Sequence, residues 1–325
     1  MRIIYRKLLS IIICFTLVFF SGCQSQKSSE AKKENIKDEI ISKKNVKLST
    51  PKLFTQKNNI PTKEELDRLF KYPSVSFEKL QKAFKESGRK VYLTKNDYNI
   101  IQKKRSYALK HIEQYLNRMF GKANPYVLKA FAEVPREYYH YYYGTNQSMI
   151  YSAYNIPAVP YPIGYGSALS DFLGQAMMTQ IADPKPGEIA LEIGTGSGFQ
   201  ISILSRIVKE AYSIEIIEPL GKAVSKIFKP INFNNVHTKV GDGFNGWPEV
   251  KGGFDIIMLT CVARYVPPPL LEQLKPGGRL IIPLGTPFRK NQTLYLYTKD
   301  KNGKVKSKSI TGVYFIPMTG KILKS

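Results

Sequence analysis

Cysteine and histidine are nearly missing from this chain. Its 325 residues hold three cysteines, Cys14, Cys23 and Cys261, and three histidines, His111, His140 and His237. Three thiols build neither a disulfide scaffold nor a multi-cysteine zinc centre, and no two histidines form an H-x-x-x-H pair. No metal is therefore expected. An arginine-dense stripe is also lacking. Lys and Arg number 49 against 25 Asp and Glu, but the excess of +24 is diffuse. Residues 1–23 carry +3, residues 24–100 carry +8 and residues 101–325 carry +13, lysine-rich and mixed with acids. That spread argues against a nucleic-acid partner. With 43% hydrophobic residues the chain has enough apolar mass for a core, which excludes wholesale disorder.

The N-terminus reads as an address. Arg2, Arg6 and Lys7 precede an apolar run from Leu8 to Phe20, followed by Ser21-Gly22-Cys23. A charged start, a short apolar stretch and small residues describe a signal peptide over residues 1–22. The run is shorter than the roughly 20 apolar residues of a spanning helix. The F-S-G-C motif resembles a bacterial lipobox, with Phe20 in place of the usual leucine. That resemblance implies lipidation of Cys23 and an exported, membrane-anchored lipoprotein of the bacterial cell envelope; the chain is cytoplasmic if the signal is not used. Residues 23–60 read as a polar tether. Residues 61–104 read as a helical extension, with Leu66, Leu69 and Phe70 on one apolar face. Tyr107, Ile112, Tyr115, Leu116 and Met119 continue the helical spacing. Thr62 followed by Glu65 is a capping-box pattern.

From Pro186 onward strands alternate with helices. Strands are expected at Ile189–Ile193, Ala211–Ile216, Val236–Gly241, Phe254–Thr260 and Arg279–Leu284, and a helix is expected over Phe199–Lys209. This alternation predicts an α/β fold, a doubly wound and mostly parallel sheet. The L-E-I-G-T-G-S-G motif closes the first strand of that region. Gly194, Gly196 and Gly198 allow a tight turn and let a ligand touch the backbone, while Thr195 and Ser197 lie between them. Glu215 closes the second strand, where a carboxylate can accept both hydroxyls of a ribose. Glu192 precedes the glycines. Asp242 and Gly243 stand in a G-D-G after the third strand.

Flanking segments make the pattern specific. V-P-R-E (Val134–Glu137), P-I-G-Y-G-S-A-L-S (Pro162–Ser170), K-P-G-E-I-A-L-E-I-G-T-G-S-G-F (Lys185–Phe199), G-D-G-F-N-G-W-P (Gly241–Pro248) and F-I-P-M-T-G (Phe315–Gly320) occur in order. With F-D-I-I-M-L-T and the stretch Leu270–Gly285 they resemble the protein-L-isoaspartate O-methyltransferase family, over about residues 105–325. The resemblance implies a class I, Rossmann-like methyltransferase that uses S-adenosyl-L-methionine. It implies methyl transfer to the α-carboxylate of isoaspartyl residues in damaged proteins or peptides, by a monomer. Glu192, Gly194–Gly198, Glu215, Asp242 and Gly243 are then cofactor-binding, with Asp242 contacting the adenine amine. Ser170 matches the family's active-site serine, and Gly166 and Arg264 join it in acceptor binding.

The acceptor segment departs from the family's Q-T-I-S-Q-P, because Ala168, Asp171 and Phe172 replace Thr, Gln and Pro. Asp171 beside the serine would repel an anionic acceptor if it points inward, and Arg264 is expected to offset it. The stretch from Ser167 also reads as the start of a helix to Ile181. Tyr138–Tyr143 is expected to form a lid or loop over the acceptor cleft, Trp247 to pack, and Cys261 to be a buried small hydrophobe. A signal peptide and a cofactor made in the cytoplasm pull apart. Two alternatives therefore stand beside the repair enzyme: a tethered lipoprotein that keeps the fold but only binds a ligand, and a methyltransferase of small molecules.

Overall fold

A computed structural model describes residues 60–323; the signal peptide, Cys23 and the tether up to residue 59 lie outside the described residues. The described chain opens with helices α1 (Lys63–Lys71), α2 (Phe77–Glu86), α3 (Lys95–Phe120) and α4 (Pro125–Glu133). The first three each start at a hydroxyl side chain. Thr62, Ser76 and Thr94 accept from the backbone N–H three residues on, and Asp97 returns the bond to Thr94. α3 buries Tyr98, Ile101, Ala108, Leu109, Ile112 and Leu116. Tyr107 falls off that stripe and Met119 lies in the last turn, so both are more than half exposed, contrary to the expected apolar face.

Arg105, buried in α3, knots this bundle together. Its guanidinium donates to the carbonyls of Leu69 and Tyr72 at the end of α1, at 3.2 and 2.7 Å, and to Ala132 near the end of α4. Carbonyls in the last turn of a helix have no partner within the helix, and the arginine supplies one. The aromatic run that follows is not a lid. Tyr138, Tyr139, Tyr141 and Tyr143 are buried, in a 3-10 turn and in the hairpin β1 (Tyr141–Tyr142) and β2 (Gln147–Ser148). Arg89, just after α2, lies 3.9 Å from the Tyr138 ring centre and 4.8 Å from that of Phe84, and donates to the Tyr138 carbonyl at 2.5 Å. The Tyr138 hydroxyl donates to the carbonyl of Ile227 at 3.0 Å. The run is thus a seam fastening the N-terminal helices to the α/β region. A desolvated cation over aromatic faces contributes about 2 kcal/mol to such a seam.

A second hairpin, β3 (Tyr161–Gly164) and β4 (Ser167–Leu169), leads into α5 (Phe172–Ala182). Ser167–Leu169 is strand rather than helix. The turn residues Gly164, Tyr165 and Gly166 have φ of 98, 53 and 75°, and Asp171 caps α5, which sets its start at Phe172. The main sheet follows as β5 (Ile189–Ile193), α6 (Phe199–Ser205), β6 (Glu210–Glu215), α7 (Glu218–Val224), β7 (Val236–Val240), β8 (Phe254–Leu259), α8 (Pro268–Glu272), β9 (Leu274–Leu284), β10 (Gln292–Lys299) and β11 (Val305–Val313). Its order is β11-β10-β9-β8-β5-β6-β7, parallel from β7 to β9, with β10 and β11 antiparallel. β5 and β8 are buried on both faces, so their sequences run apolar instead of alternating. Between them the winding reverses, and ligands bind beyond the carboxyl ends at such a point. The edge strand β11 carries exposed Lys306 and Lys308, which hinder edge-to-edge pairing.

Glu133, the last residue of α4, has a buried carboxylate oxygen without a partner. Burial pushes its carboxyl up to about 8, against the pull of Lys129 and Arg206. The folded carboxyl holds a proton that the unfolded one releases between pH 4.5 and about 8, so stability falls as pH rises through that window. Glu133→Gln is expected to leave stability at about pH 5 nearly unchanged and to raise it at about pH 9 by about 1–3 kcal/mol. Urea unfolding at the two pH values checks this, and equal effects would refute it.

Candidate active site

The glycine loop sits where β5 ends. Its glycines 194, 196 and 198 have φ of 101, 53 and 83°. At Gly194 a Cβ would lie 2.6 Å from the Thr260 hydroxyl, which instead donates to the Gly194 carbonyl at 2.7 Å. At Gly198 a Cβ would meet the Phe228 ring at 2.8 Å. Helix α6 starts at the next residue. Ser197 is buried, and its hydroxyl accepts from the Phe199 N–H at 3.3 Å.

Two buried carboxylates support this loop in different ways. Glu192 pairs across the parallel ladder with Ser213. The Ser213 hydroxyl donates to one Glu192 oxygen at 2.6 Å and lies 2.7 Å from the Thr195 hydroxyl. The other Glu192 oxygen is buried without a partner, and burial raises this carboxyl well above the usual range. Glu215 ends β6 and is also buried; its oxygens accept from the N–H of Gly196 at 2.8 Å and of Ile217 at 3.0 Å. Burial raises its pKa while those two donors oppose the rise. A carboxylate has about four acceptor positions, so Glu215 can still receive two hydroxyls.

Asp242 follows β7. Its oxygens accept from the N–H of Phe244 at 2.9 Å and of Lys321 at 2.6 Å, and Gly243 beside it packs so closely that a Cβ would stand 2.3 Å from Ile193 Cγ2. Ile216 and Val240, at the same strand ends, are apolar yet 38% and 41% exposed. A rim of one carboxylate and two aliphatic side chains suits a flat aromatic base with an amine on its edge.

The acceptor side adjoins the loop through the β3–β4 hairpin. From the position a Gly196 Cβ would occupy, Ile163 Cδ1 is 3.7 Å away and the Ser167 hydroxyl 3.8 Å. Gly166 is exposed at the hairpin turn. Ser170 is half-buried between β4 and α5, and its carbonyl accepts from Arg136 at 2.7 Å. The expected pairing of Arg264 with Asp171 is not formed. Arg264 is exposed, and among the described residues no ion pair joins the two. The Asp171 carboxylate instead caps α5, accepting from the Gly174 N–H at 2.8 Å, and the cation that feels its charge is Arg136. Cys261 is buried, and burial pushes its thiol up to about 12. Trp247 is half-buried with its ring edge-on to Tyr212 at 5.1 Å. Ser213, Thr260 and Arg136 were not singled out by the sequence. A serine inside the buried A-Y-S-I-E strand was the available signal for the first.

Fold and site together define a class I methyltransferase, a Rossmann-like α/β protein with a nucleotide-type loop at the switch point. The chain belongs to the protein-L-isoaspartate(D-aspartate) O-methyltransferase family, whose model matches residues 109–323. A protein-L-isoaspartate O-methyltransferase 1 of Nitrosospira multiformis is 47% identical over 161 residues, half of this chain and 67% of that protein. A solved protein-L-isoaspartate O-methyltransferase is 25% identical with a TM-score of 0.57, covering 66% of this chain and 67% of that one. A second, from Plasmodium falciparum and solved with S-adenosyl-L-homocysteine, is 22% identical with a TM-score of 0.53, covering 65% of this chain and 97% of its own.

Ser213→Ala leaves neither Glu192 oxygen with a hydroxyl partner. It is expected to cost about 1–3 kcal/mol of stability in chemical denaturation, the range for stranding a buried polar group. An unchanged midpoint would show that Glu192 does not depend on Ser213.

Proposed function

We propose that this protein transfers the methyl group of S-adenosyl-L-methionine to the free α-carboxylate of L-isoaspartyl residues in damaged proteins or peptides. The observation that carries this reading is the closeness of two halves of one site: the glycine loop, pinned by Glu215, and the hairpin that leads to Ser170. The residues present fit the cofactor. Glu215 would accept the ribose hydroxyls, Asp242 would face the adenine amine between Ile216 and Val240, and the loop glycines leave the backbone open to close approach. The unpartnered oxygen of Glu192 lies buried beneath the loop, one more polar group that a bound ligand can satisfy.

The cofactor supplies an electrophilic methyl group on a positively charged sulfur. A carboxylate is already a nucleophile at neutral pH, so the acceptor needs no general base, in keeping with a chain so poor in histidine and reactive thiols. What remains for the protein is to hold two partners in line and keep water out. Ser170 would donate a hydrogen bond to the accepting carboxylate, with Gly166 leaving room at the hairpin turn. Arg264, exposed at the carboxyl end of the sheet, is available to the peptide rather than to Asp171. The amide nitrogen of the following residue then attacks the ester carbonyl and methanol leaves, giving a succinimide that water can open to normal aspartate.

The N-terminal F-S-G-C pattern supports a second element of the proposal: attachment of a monomer to a bacterial membrane through a lipid on Cys23. Stable anchoring takes two or more acyl chains. The changes to Ala168, Asp171 and Phe172 favour, as the competing reading, a small exported carboxylate as acceptor.

Glu215→Ala is expected to weaken binding of S-adenosyl-L-homocysteine by about ten- to a hundredfold in calorimetry, the loss of charge-assisted bonds worth about 1.5–3 kcal/mol. Ser170→Ala is expected to cut methyl transfer to an isoaspartyl peptide while leaving that affinity nearly unchanged. A wild type that binds the cofactor product but ignores the peptide refutes the acceptor, and one that binds neither refutes the enzyme. For the anchor, fatty-acid analogue labelling is expected in the wild type and absent in Cys23→Ala; label that survives the change would sink it.

A further inference from the structure

Arg136, in the V-P-R-E segment, is a buried cation whose polar contacts all run to elements around the acceptor side of the site. Its Nη2 donates to the Ser170 carbonyl at 2.7 Å, its Nη1 to the Gln175 side chain on α5 at 2.7 Å, and its Nε to the Ala153 carbonyl at 3.1 Å. The guanidinium also lies 4.7 Å from the ring centre of Phe199, the first residue of α6 after the glycine loop, and 5.7 Å from that of Phe172. One planar group therefore touches the acceptor segment, the helix behind it, a neighbouring loop and the start of the cofactor helix.

The neighbouring carboxylate does not serve this cation. Glu137 is bound by the Tyr154 hydroxyl at 2.5 Å and by Gln102 of α3 at 2.6 Å. Burial pulls the Arg136 guanidinium down to about 10, a fall that the charge of Asp171, one residue beyond Ser170, opposes.

We propose that Arg136 is a positioning residue for the acceptor step: its fork, shared between the Ser170 carbonyl and the Gln175 side chain, fixes the Ser170 backbone and with it the hydroxyl that meets the acceptor. Ser170 is then held from three sides. Leu169 before it pairs with Tyr161 in the hairpin, Asp171 after it caps α5, and Arg136 binds its carbonyl. Its hydroxyl inherits that geometry. This inference rests on the reading of Ser170 as the acceptor serine.

Two variants of the full chain test it. Arg136→Lys keeps a donor and loses the fork. Amide hydrogen exchange over residues 171–175 is expected to accelerate by about tenfold or more. Turnover on an isoaspartyl peptide is expected to fall about ten- to a hundredfold, since small misplacements of reacting groups are costly. KM for the peptide and affinity for S-adenosyl-L-homocysteine are expected to stay within about twofold, because the contacts of the Arg136 side chain all run to the protein itself. Asp171→Asn keeps the cap, since asparagine caps as well as aspartate. It also leaves the Arg136 fork in place, so exchange over residues 171–175 is expected to stay within about twofold of wild type. Unchanged exchange in Arg136→Lys, or equal acceleration in Asp171→Asn, overturns the proposal. So does an Arg136→Lys protein that has lost cofactor-product binding, since Arg136 would then serve the fold as a whole. If the wild type methylates no isoaspartyl peptide, the proposed function fails by itself, and the exchange measurement still decides the role of Arg136.

Discussion

Everything at the site hangs from the bond between the Glu215 carboxylate and the Gly196 N–H. A glycine-rich turn is the least ordered way to leave a strand, because glycine gives up more backbone freedom on folding than any other residue. Here the turn is held from both neighbouring strands. Glu215 at the end of β6 takes the Gly196 N–H, and Thr260 at the end of β8 donates to the Gly194 carbonyl. Both anchors exist because β5 lies between β6 and β8, where the winding of the sheet reverses. The same carboxylate that would receive a ribose thus shapes the loop beneath it, and binding meets a turn already formed.

Buried arginines do for the helices what that carboxylate does for the loop. Arg105 closes the ends of α1 and α4, Arg89 sits over the rings of Tyr138 and Phe84, and Arg136 ties Ser170 to Gln175. Each spends its donors on carbonyls, hydroxyls or amides instead of carboxylates. A planar fork with five N–H groups suits this role, and a lysine would not reproduce it. Part of the large positive charge is therefore internal scaffolding, and total charge says less about partners than the composition suggests.

The strands of the α/β region were legible because their period and the intervening helices are strong signals: β5 to β8 fall within about two residues of the spans read from sequence. The cofactor side was legible for the same reason, since glycines and acids at strand ends have few other uses. The tyrosine run is a buried seam where a lid or loop over the acceptor cleft is expected. Arg89, 49 residues before Tyr138, lies over its ring, and such a contact leaves no local pattern. The helix assigned from Ser167 failed because three consecutive positive φ angles, one of them at Tyr165, fold that stretch into a hairpin. Arg264 has the sign and the place at the sheet's carboxyl edge to offset an acid, yet it is exposed and forms no ion pair with Asp171 among the described residues. What the sequence could not show is that Asp171 turns toward its own helix, accepting from the Gly174 N–H.

That last correction changes how the drift at the acceptor segment is understood. An acid beside the carboxylate-binding serine counts against the reaction only if its charge is unbalanced and aimed at the acceptor. Asp171 is committed to the Gly174 N–H at the start of α5, where a negative charge also meets the positive end of a helix dipole, and its field falls on Arg136. Two stabilising roles account for the residue without any role in chemistry. The aspartate at this position is then a helix cap. On this view the two halves of the site differ in kind. The cofactor half is fixed by backbone, where glycine alone fits, whereas the acceptor half is fixed by side-chain forks and caps, which tolerate exchange as long as charge and hydrogen bonds are balanced.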